Sequence, residues 1–314
     1  SRPALSGALF LKRKNHMIDA ILWVLKHIAQ GFTDIAYVLT HLGTIFDFSD
    51  KVNLLQVVYW GASSRAFFVF FDIFLLVFVL GVIRRAFLWR TVIILEGIAN
   101  YTGRFFAWAG LFMVLQQTMI VFLQRIFRVS DISISPFGIG FTKQLGWWAE
   151  MLKAENALIV CMCCAYTFVQ GGHVRVDLVY SRISFRAKRV VDMLGSLLFI
   201  IPSMTLIWLY GWFYMWRHLI TPPVSASDRW ELVERKAAIV RWNVETIGVS
   251  PSGFDAYFLF KVMMVGFAGM MLLQATAFFY RSYLEFIEGE SSAGKFADND
   301  VLNDEIAAKV AEIH

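Results

Sequence analysis

Long apolar stretches recur along the chain, and each is long enough to cross a membrane as a helix. A span needs about 20 mostly apolar residues, because the hydrocarbon core is about 30 Å thick and a helical residue rises about 1.5 Å. The stretches are too long for barrel strands and lack their alternation of polar and apolar positions. Five stretches qualify: residues 67–83, 105–124, 156–172, 193–216 and 262–280.

The segment 17–48 is amphipathic, with apolar residues at helical spacing on one side and a polar stripe on the other. Such a helix suits the membrane interface, or it packs its polar stripe against protein. Two arrangements stay open: six spans, or five spans with one interfacial helix. The apolar positions are Ile18, Ile21, Leu22, Leu25, Ile28, Phe32, Ile35 and Leu39, and the polar ones are Asp19, Lys26, Gln30, Asp34 and His41.

Basic residues set the expected orientation, since Lys and Arg prefer cytoplasmic loops. The segment 173–192 is rich in Lys and Arg and is expected in the cytoplasm. Alternation of the spans then places 84–104 and the C-terminus in the cytoplasm and 217–255 outside. The basic cluster Lys12-Arg13-Lys14 also favours the cytoplasm, which requires the 17–48 helix to cross.

The composition supports a membrane protein and argues against other classes. Hydrophobic residues make up 58% of the chain against 17% charged, and the mean hydropathy is +0.59, well above a soluble domain. The net charge of +5 sits at the ends of apolar stretches, which indicates topology rather than nucleic-acid binding. The three cysteines, Cys161, Cys163 and Cys164, are neighbours, so we expect packing roles and neither disulfides nor a metal site. No catalytic motif is present, and no catalytic residue is assigned.

Two segments outside the spans carry further patterns. In 217–255, Asp228 and Glu231 resemble a capping box before an amphipathic helix. The helix would dock on the membrane interface, on a partner or on its own subunit. From residue 281 onward the chain turns acidic, and 286–314 is expected to be a solvated cytoplasmic tail. The apolar stripe of the amphipathic helix is Trp230, Val233, Ala237, Val240, Val244 and Ile247.

The segment that follows Gly171 and Gly172 alternates polar and apolar residues. His173, Arg175 and Asp177 share a face if this segment is extended. His173 is then a candidate proton carrier or ligand. The alternative is a structural turn, in which Arg175 meets a lipid phosphate and Asp177 caps the next helix.

An ordered set of motifs resembles a known transporter family. The segment 171–184, the basic run Arg186-Ala187-Lys188-Arg189 and the following Asp192 resemble the small membrane subunit (DctQ type) of tripartite ATP-independent periplasmic (TRAP) transporters. Upstream, Gln124-Arg125-Ile126-Phe127 and Trp148-Ala149-Glu150 are similar to motifs at the end of that family's first core helix and the start of its second. Ile126 stands where an aromatic residue is usual, and 217–255 is longer than expected. The resemblance covers about 105–285 as four core spans.

The resemblance implies a division of labour among three proteins in a bacterial inner membrane. A soluble periplasmic protein captures an organic acid such as a C4-dicarboxylate. A large DctM-type membrane subunit holds the substrate and sodium sites, and the small subunit braces it. This chain would therefore need no cofactor of its own. The implied organisation is an all-α membrane protein with an N-terminal extension (1–104) carrying one or two extra spans, a four-helix domain (105–285) and the acidic tail (286–314).

A few residues remain as individual candidates. Asp72 is an acid inside a span, which is a functional-site hypothesis by default; we favour a buried hydrogen bond to a neighbouring helix over a coupling-ion site. Trp148 suits an interfacial anchor, and Glu150 a favourable interaction with a helix N-terminus. Arg125 is expected to pair with Glu150 or with lipid phosphates.

A membrane anchor of a haem-containing redox complex is the competing function. Haem ligation by two histidines requires both to face each other within the bilayer. His27 and His41, on one predicted helix, are the residual candidates.

Overall fold

The chain is an all-α membrane protein, as predicted. The computed structural model describes residues 4–45, 47, 49–134, 140–171, 182–246 and 253–298. Within these residues, five helices are long and apolar enough to cross a membrane, and each corresponds to one predicted stretch. They are Ser64–Ile83, Arg85–Phe127, Leu145–Val169, Phe185–Arg217 and Phe258–Glu288.

The described elements follow one another with short connections. The N-terminal helices are α1 (Ala4–Thr40), α2 (Leu42–Ile45), α3 (Lys51–Gly61), α4 (Ser64–Ile83) and α5 (Arg85–Phe122), which continues into a π-helical turn (Leu123–Phe127). Next come β1 (Asp131–Ile134), β2 (Phe141–Gln144), α6 (Leu145–Val169), α7 (Phe185–Gly195), a π-helical turn (Ser196–Ile200) and α8 (Ile201–Arg217). The last elements are β3 (Ile220–Thr221), α9 (Trp230–Ile239), β4 (Arg241–Trp242), α10 (Phe258–Glu288) and a 3-10 turn (Glu290–Ser292). Strands β1 and β2 form one antiparallel hairpin, and β3 pairs with β4.

Contacts divide the chain into two units. The first comprises residues up to Val79 together with Ser225–Val240, and the second comprises Leu80–Val224 and the chain from Arg241 onward. The boundary expected at residue 104 therefore falls inside α5.

Helix α9 packs on α3 in the first unit, so the amphipathic helix covers its own chain. Val233 and Ala237 of α9 are buried, and so are Leu55 and Val58 of α3. Trp230 was predicted on the same apolar stripe, but it is 52% exposed at the start of α9. The helix also ends earlier than the stripe implied, because Val240 is extended and the next two residues pair with β3.

Asp228 joins α3 to α9 and does not cap a helix, which corrects the predicted capping box. The N-cap residue of α9 is Arg229, and it makes no side-chain cap. Asp228 instead accepts hydrogen bonds from the Tyr59 hydroxyl, from Lys236 Nζ at 2.5 Å and from the Ser225 N–H at 3.0 Å. Burial raises the pKa of Asp228, but the hydrogen bonds from Lys236 and Tyr59 outweigh it and leave the pKa below its ordinary value. The carboxylate therefore stabilises the fold in its ionised form.

Replacing Asp228 by Asn is expected to loosen α9 from α3. The change leaves the mostly buried Lys236 ammonium without its anion, at a cost of about 2 kcal/mol. Trypsin cleavage at the exposed Arg235 should accelerate by about 30-fold, since cleavage follows local opening. The matched control is the exposed Glu234→Gln on the same helix, and an equal rate in both variants would contradict this role.

Acid should have the same effect on the unsubstituted protein. Because the folded-state pKa of Asp228 is depressed, its contribution to stability is present above the ordinary value of 3.8 and is lost as the pH falls through the lowered folded-state pKa.

Helix α1 crosses α4 without running alongside it. Residues Trp23, His27, Gly31 and Asp34 all meet α4 within two turns around Phe68. The apolar side of α1 points away from these contacts, and α1 is not one of the five helices apolar enough to span. This arrangement is consistent with five spans and a crossing helix. The apolar side chains Ile21, Leu22, Leu25, Phe32 and Leu39 of α1 are exposed.

Asp72 is fully buried under this crossing. The hydrogen bond that we expected to a neighbouring helix is not found: neither carboxylate oxygen has a hydrogen-bonding partner among the described residues. The neighbour of Asp72 on α1 is Gly31, which offers no side chain to accept or donate a hydrogen bond.

The second unit contains α5, α6, α8 and α10 packed together. Residues 85–104 were treated as a connecting loop, but they form the first half of α5. The helix with its π-helical turn has 43 residues and is therefore about 65 Å long, twice the thickness of the hydrocarbon core. Its charged first half lies beyond its apolar stretch.

Close helix approaches in this unit occur at glycines. The backbone of Gly103 in α5 touches Tyr166 of α6, and Gly266 in α10 meets Met162 of α6. Small residues at such points let membrane helices pack closely.

Candidate functional site

A buried charge cluster joins three helices at one end of the second unit. We define it as Glu96 of α5, Arg189 and Asp192 of α7, and Arg281 and Glu285 of α10. Each member lies just beyond the apolar stretch of its helix, and α5 and α7 begin at this end while α10 finishes there. Segments predicted on one side of the membrane therefore meet in the structure.

Arg281 makes the central contacts of the charge cluster. Its Nε donates to Glu96 Oε1 at 2.6 Å and its Nη2 to Glu96 Oε2 at 2.5 Å. This is a two-pronged pairing of guanidinium and carboxylate, the strongest geometry for such a pair. The side chains are only 12% and 7% exposed, so water screens the pair weakly.

Arg189 extends the charge cluster from α10 to α7. Its Nη1 donates to Asp192 Oδ2 at 3.0 Å, and its Nε lies 2.7 Å from Glu285 Oε2 as an ion pair without a well-aligned hydrogen bond. Glu285 Oε1 is 3.7 Å from Arg281 Nη1 and completes the chain of charges. Asp192, selected from the sequence, is therefore part of a network that fixes how α7 meets α10.

The segment after α10 folds back over the charge cluster. The Lys295 carbonyl accepts a hydrogen bond from Arg281 Nη1 at 2.9 Å. Asp298 accepts hydrogen bonds from Arg104 and Asn100 of α5, and these hydrogen bonds hold the pKa of Asp298 below its ordinary value. The start of the acidic tail is thus held against the helices and is not simply solvated as predicted; residues from 299 onward lie outside the described part.

Trp89 of α5 forms an aromatic floor beside the charge cluster. Its indole Nε1 donates to Glu288 Oε1 at 2.9 Å, and the Arg281 guanidinium lies 5.6 Å from the ring centroid. A cation over an indole face is attracted by the ring quadrupole.

This arrangement is suited to holding helices together and offers no reaction chemistry. The arginines and carboxylates are occupied with one another, and no serine, cysteine or histidine nucleophile belongs to the cluster. Across the described ranges, no group of three or more His, Cys, Asp or Glu residues is placed to hold a metal ion. The charge cluster acts as a brace between α5, α7 and α10.

The opposite end of the second unit contains a smaller polar contact around Asp255. Trp147 Nε1 donates to Asp255 Oδ1 at 2.9 Å, and Lys143 Nζ lies 3.2 Å from Oδ2. The hydrogen bond from Trp147, and then that from Lys143, hold the pKa of Asp255 below its ordinary value. The contact fastens the start of α6 to the chain before α10.

Trp148 and Glu150 also make internal contacts at this end. Glu150 Oε2 accepts a hydrogen bond from the Phe254 N–H at 2.9 Å. The first turn of α6 has no acidic residue, so Glu150 does not act there on the helix N-terminus as predicted. Trp148 is half-buried, and its carbonyl accepts from Gln116 at 2.9 Å; it packs inside the protein and is not a purely interfacial anchor.

Replacing Trp147 by Phe is expected to lower the thermal stability of the detergent-solubilised protein. The change keeps an aromatic ring but removes the hydrogen bond to the Asp255 carboxylate, at a cost of about 2 kcal/mol. The neighbouring Trp148→Phe is the matched control, because Trp148 Nε1 has no hydrogen-bonding partner among the described residues. A larger loss in the control than in Trp147→Phe would refute the assignment.

The remaining candidates from the sequence are not drawn together. Arg125 is exposed in the π-helical turn after α5, and no ion pair between Arg125 and Glu150 occurs in the described part of the chain. His173, Arg175 and Asp177 lie outside the described residues. Trp230 and Asp72 belong to the first unit.

Sequence reasoning missed most of the charge cluster. Glu96, Arg281 and Glu285 looked like ordinary charges flanking apolar stretches. The available signal was that such charges stand on helical extensions of the spans, where helices of opposite direction end together. Glu155 was also missed, because the predicted span began one residue later; it lies in α6, and its buried Oε2 has no hydrogen-bonding partner among described residues.

Comparisons with protein-family models, with curated proteins and with solved structures find no match to this chain.

Proposed function

We propose that this chain is the small membrane subunit of a sodium-coupled, binding-protein-dependent organic-acid transporter of the TRAP type, in a bacterial inner membrane. In this proposal it braces a large transport subunit and moves no substrate itself. The ordered motifs between residues 124 and 195 carry the resemblance on which the proposal rests.

The buried charge cluster is the observation that best supports a bracing role. Arg189 and Asp192, which belong to the resembling motif, are tied through Glu285 to α10, and Arg281 ties α10 to Glu96 of α5. A mobile transport element needs a fixed block to move against, and ion pairs that lock three helices supply rigidity. Transport sites in such membranes are typically built from broken helices at mid-membrane; α5, α6 and α10 are continuous helices through their apolar stretches.

A partner test decides this proposal. The tagged chain is purified in mild detergent from native membranes, and the proteins that accompany it are identified by mass spectrometry. We expect a large multi-span membrane protein in stoichiometric amount. Vesicles holding both subunits should take up an organic acid only with sodium and the binding protein, whereas vesicles holding this chain alone should take up none. Recovery of the chain without such a partner, or a Soret absorbance band that reveals a haem anchor, would overturn the proposal.

The expected orientation has its own measurement. In a background with Cys161, Cys163 and Cys164 replaced by Ser, Ser184→Cys should react with a membrane-impermeant thiol reagent only from the cytoplasmic side. Thr246→Cys, at the opposite end, should react only from the periplasmic side. Both positions are exposed. Labelling of the two from the same side, or in the reverse order, would contradict the proposed topology.

A further inference from the structure

Asp72 is a fully buried carboxyl group inside an apolar span. It is 0% exposed, and neither oxygen has a hydrogen-bonding partner among the described residues. It lies about 12 Å from the start of α4 at 1.5 Å per residue, well within the apolar helix. An ionised carboxylate without a partner is strongly disfavoured in such surroundings, whereas the neutral acid is tolerated.

Gly31 of α1 closes directly over this carboxyl group. A Cβ added at Gly31 would lie 1.9 Å from Asp72 Oδ2, 3.0 Å from Asp72 Cγ and 3.2 Å from the Phe68 carbonyl oxygen. The position therefore accepts no side chain. The bare backbone of α1 rests on the acid, which leaves no room there for a water molecule.

Contacts on both sides of Gly31 hold α1 in this position. His27 lies 5.2 Å from Phe68 and Trp23 lies 5.6 Å from it, measured between ring centroids. Beyond Gly31, Arg65 donates to Asp34 from Nε at 3.1 Å and from Nη2 at 3.0 Å. The residues of α1 that are not fully exposed follow one stripe, which confirms that this side faces protein. That stripe is His27, Ile28, Gly31, Asp34, Ile35 and Val38.

The charged groups near the crossing do not neutralise Asp72. Those on the described faces of α1 and α4 are His27, Asp34 and Arg65. Arg65 is engaged with Asp34, and His27 Nδ1 lies 2.8 Å from the Trp23 carbonyl oxygen on its own helix. Bound sodium in membrane proteins draws on carbonyls of unwound helices, but α4 is continuous from Ser64 to Ile83. A proton is therefore the ligand that fits this carboxyl group.

We propose that Asp72 is a proton-binding site that latches α1 across α4. With the proton bound, the neutral acid lies under Gly31 and can donate to the Phe68 carbonyl. Loss of the proton creates a carboxylate that must reach water, and the Gly31 contact prevents this, so α1 lifts away. Proton binding and docking of α1 are then linked, and each strengthens the other.

The test measures the separation of α1 and α4 in the full chain in lipid nanodiscs. Spin labels are attached at Gln30→Cys and Val79→Cys, both exposed positions, after Cys161, Cys163 and Cys164 are replaced by Ser. Pulsed electron spin resonance then gives the distance distribution from about pH 5 to about pH 10, a range that covers reported pKa values of buried carboxyl groups. We expect one short distance at acid pH and a growing longer component as the pH rises.

Two variants and a salt comparison assign the effect. Asp72→Asn, which keeps the shape but cannot ionise, should give the short distance at every pH. Gly31→Ala should give the longer distance at every pH, while Gly43→Ala, with nothing within 4 Å of an added Cβ, should behave as the unsubstituted chain. If Gly31→Ala does not fold, Asp72→Asn and the unsubstituted chain still decide the outcome.

Three results would overturn the latch. The first is a distance that does not respond to pH in the unsubstituted chain. The second is a pH response that persists in Asp72→Asn, which would move it to another group such as His27. The third is a shift produced at constant pH by exchanging choline for sodium, which would make the ligand a metal cation.

Discussion

Replacing Glu96 by Gln is expected to lower the free energy of unfolding by about 3 kcal/mol, the low end of the range for breaking a buried ion pair. The Gln side chain keeps the size of Glu96 but leaves the Arg281 guanidinium without its two-pronged partner. The loss should stay at the low end because Glu285 Oε1, 3.7 Å from Arg281 Nη1, still provides a negative charge. Reversible unfolding in mixed detergent micelles, followed by helical circular dichroism, measures the change.

Two further variants separate the ion pair from a general effect of removing charge. Glu290→Gln removes an exposed acid just after α10 and should change the free energy by less than about 0.5 kcal/mol. In the double variant Glu96→Gln with Arg281→Met, much of the stability should return, because an apolar pair of similar volume often replaces a buried ion pair without loss. Equal stability of Glu96→Gln and Glu290→Gln would show that the charge cluster is not a brace.

Replacing Gly103 by Ala is expected to force α5 and α6 apart. An added Cβ would lie 2.1 Å from Tyr166 Cβ and 2.6 Å from Tyr166 Cγ, and both Cβ atoms are fixed to their backbones. Overpacking of this kind costs about 1 to 3 kcal/mol. The same shift would strain the contact in which Cys163 Sγ donates to the Gly103 carbonyl at 3.4 Å.

Gly97→Ala on the same helix is the matched control, and it should have the opposite sign. Nothing lies within 4 Å of a Cβ added at Gly97, so the change should stabilise α5 by up to about 1 kcal/mol through helix propensity alone. The midpoint of thermal unfolding in detergent should fall for Gly103→Ala and rise for Gly97→Ala. A fall of equal size in both would mean that helix flexibility, and not the contact with Tyr166, matters at these positions.

The five spans could be predicted from the sequence because hydropathy is a local property. Each apolar stretch meets the same hydrocarbon solvent, so its residues can be summed without knowing what it packs against. The grouping of basic and acidic residues at span ends also anticipated that Glu96, Arg189 and Arg281 stand near one end of the helices. Helix ends beyond the apolar stretches were harder to predict, because α5 and α6 continue through polar residues that tertiary contacts satisfy.

The amphipathic pattern around residue 233 was predicted in part. Val233, Ala237 and Val240 are buried as the stripe implied. The helix α3 against which they pack was not predicted, because its eleven residues are too few to stand out by periodicity. Asp228 was assigned to a local cap because a capping box is a short-range pattern, whereas its partner Tyr59 lies 169 positions away in the chain.

The sequence by itself determined that this protein is a helical membrane protein, where its spans lie, and that its charges gather at their ends. Only the tertiary structure decided which charges pair, such as Arg281 with Glu96 across 185 positions, and which glycines carry a helix contact. It also decided that Asp72 lies beneath Gly31 and has no hydrogen-bonding partner in the described chain. The physical reason is that burial in lipid depends on each residue separately, whereas a contact depends on the rotation and register of two helices.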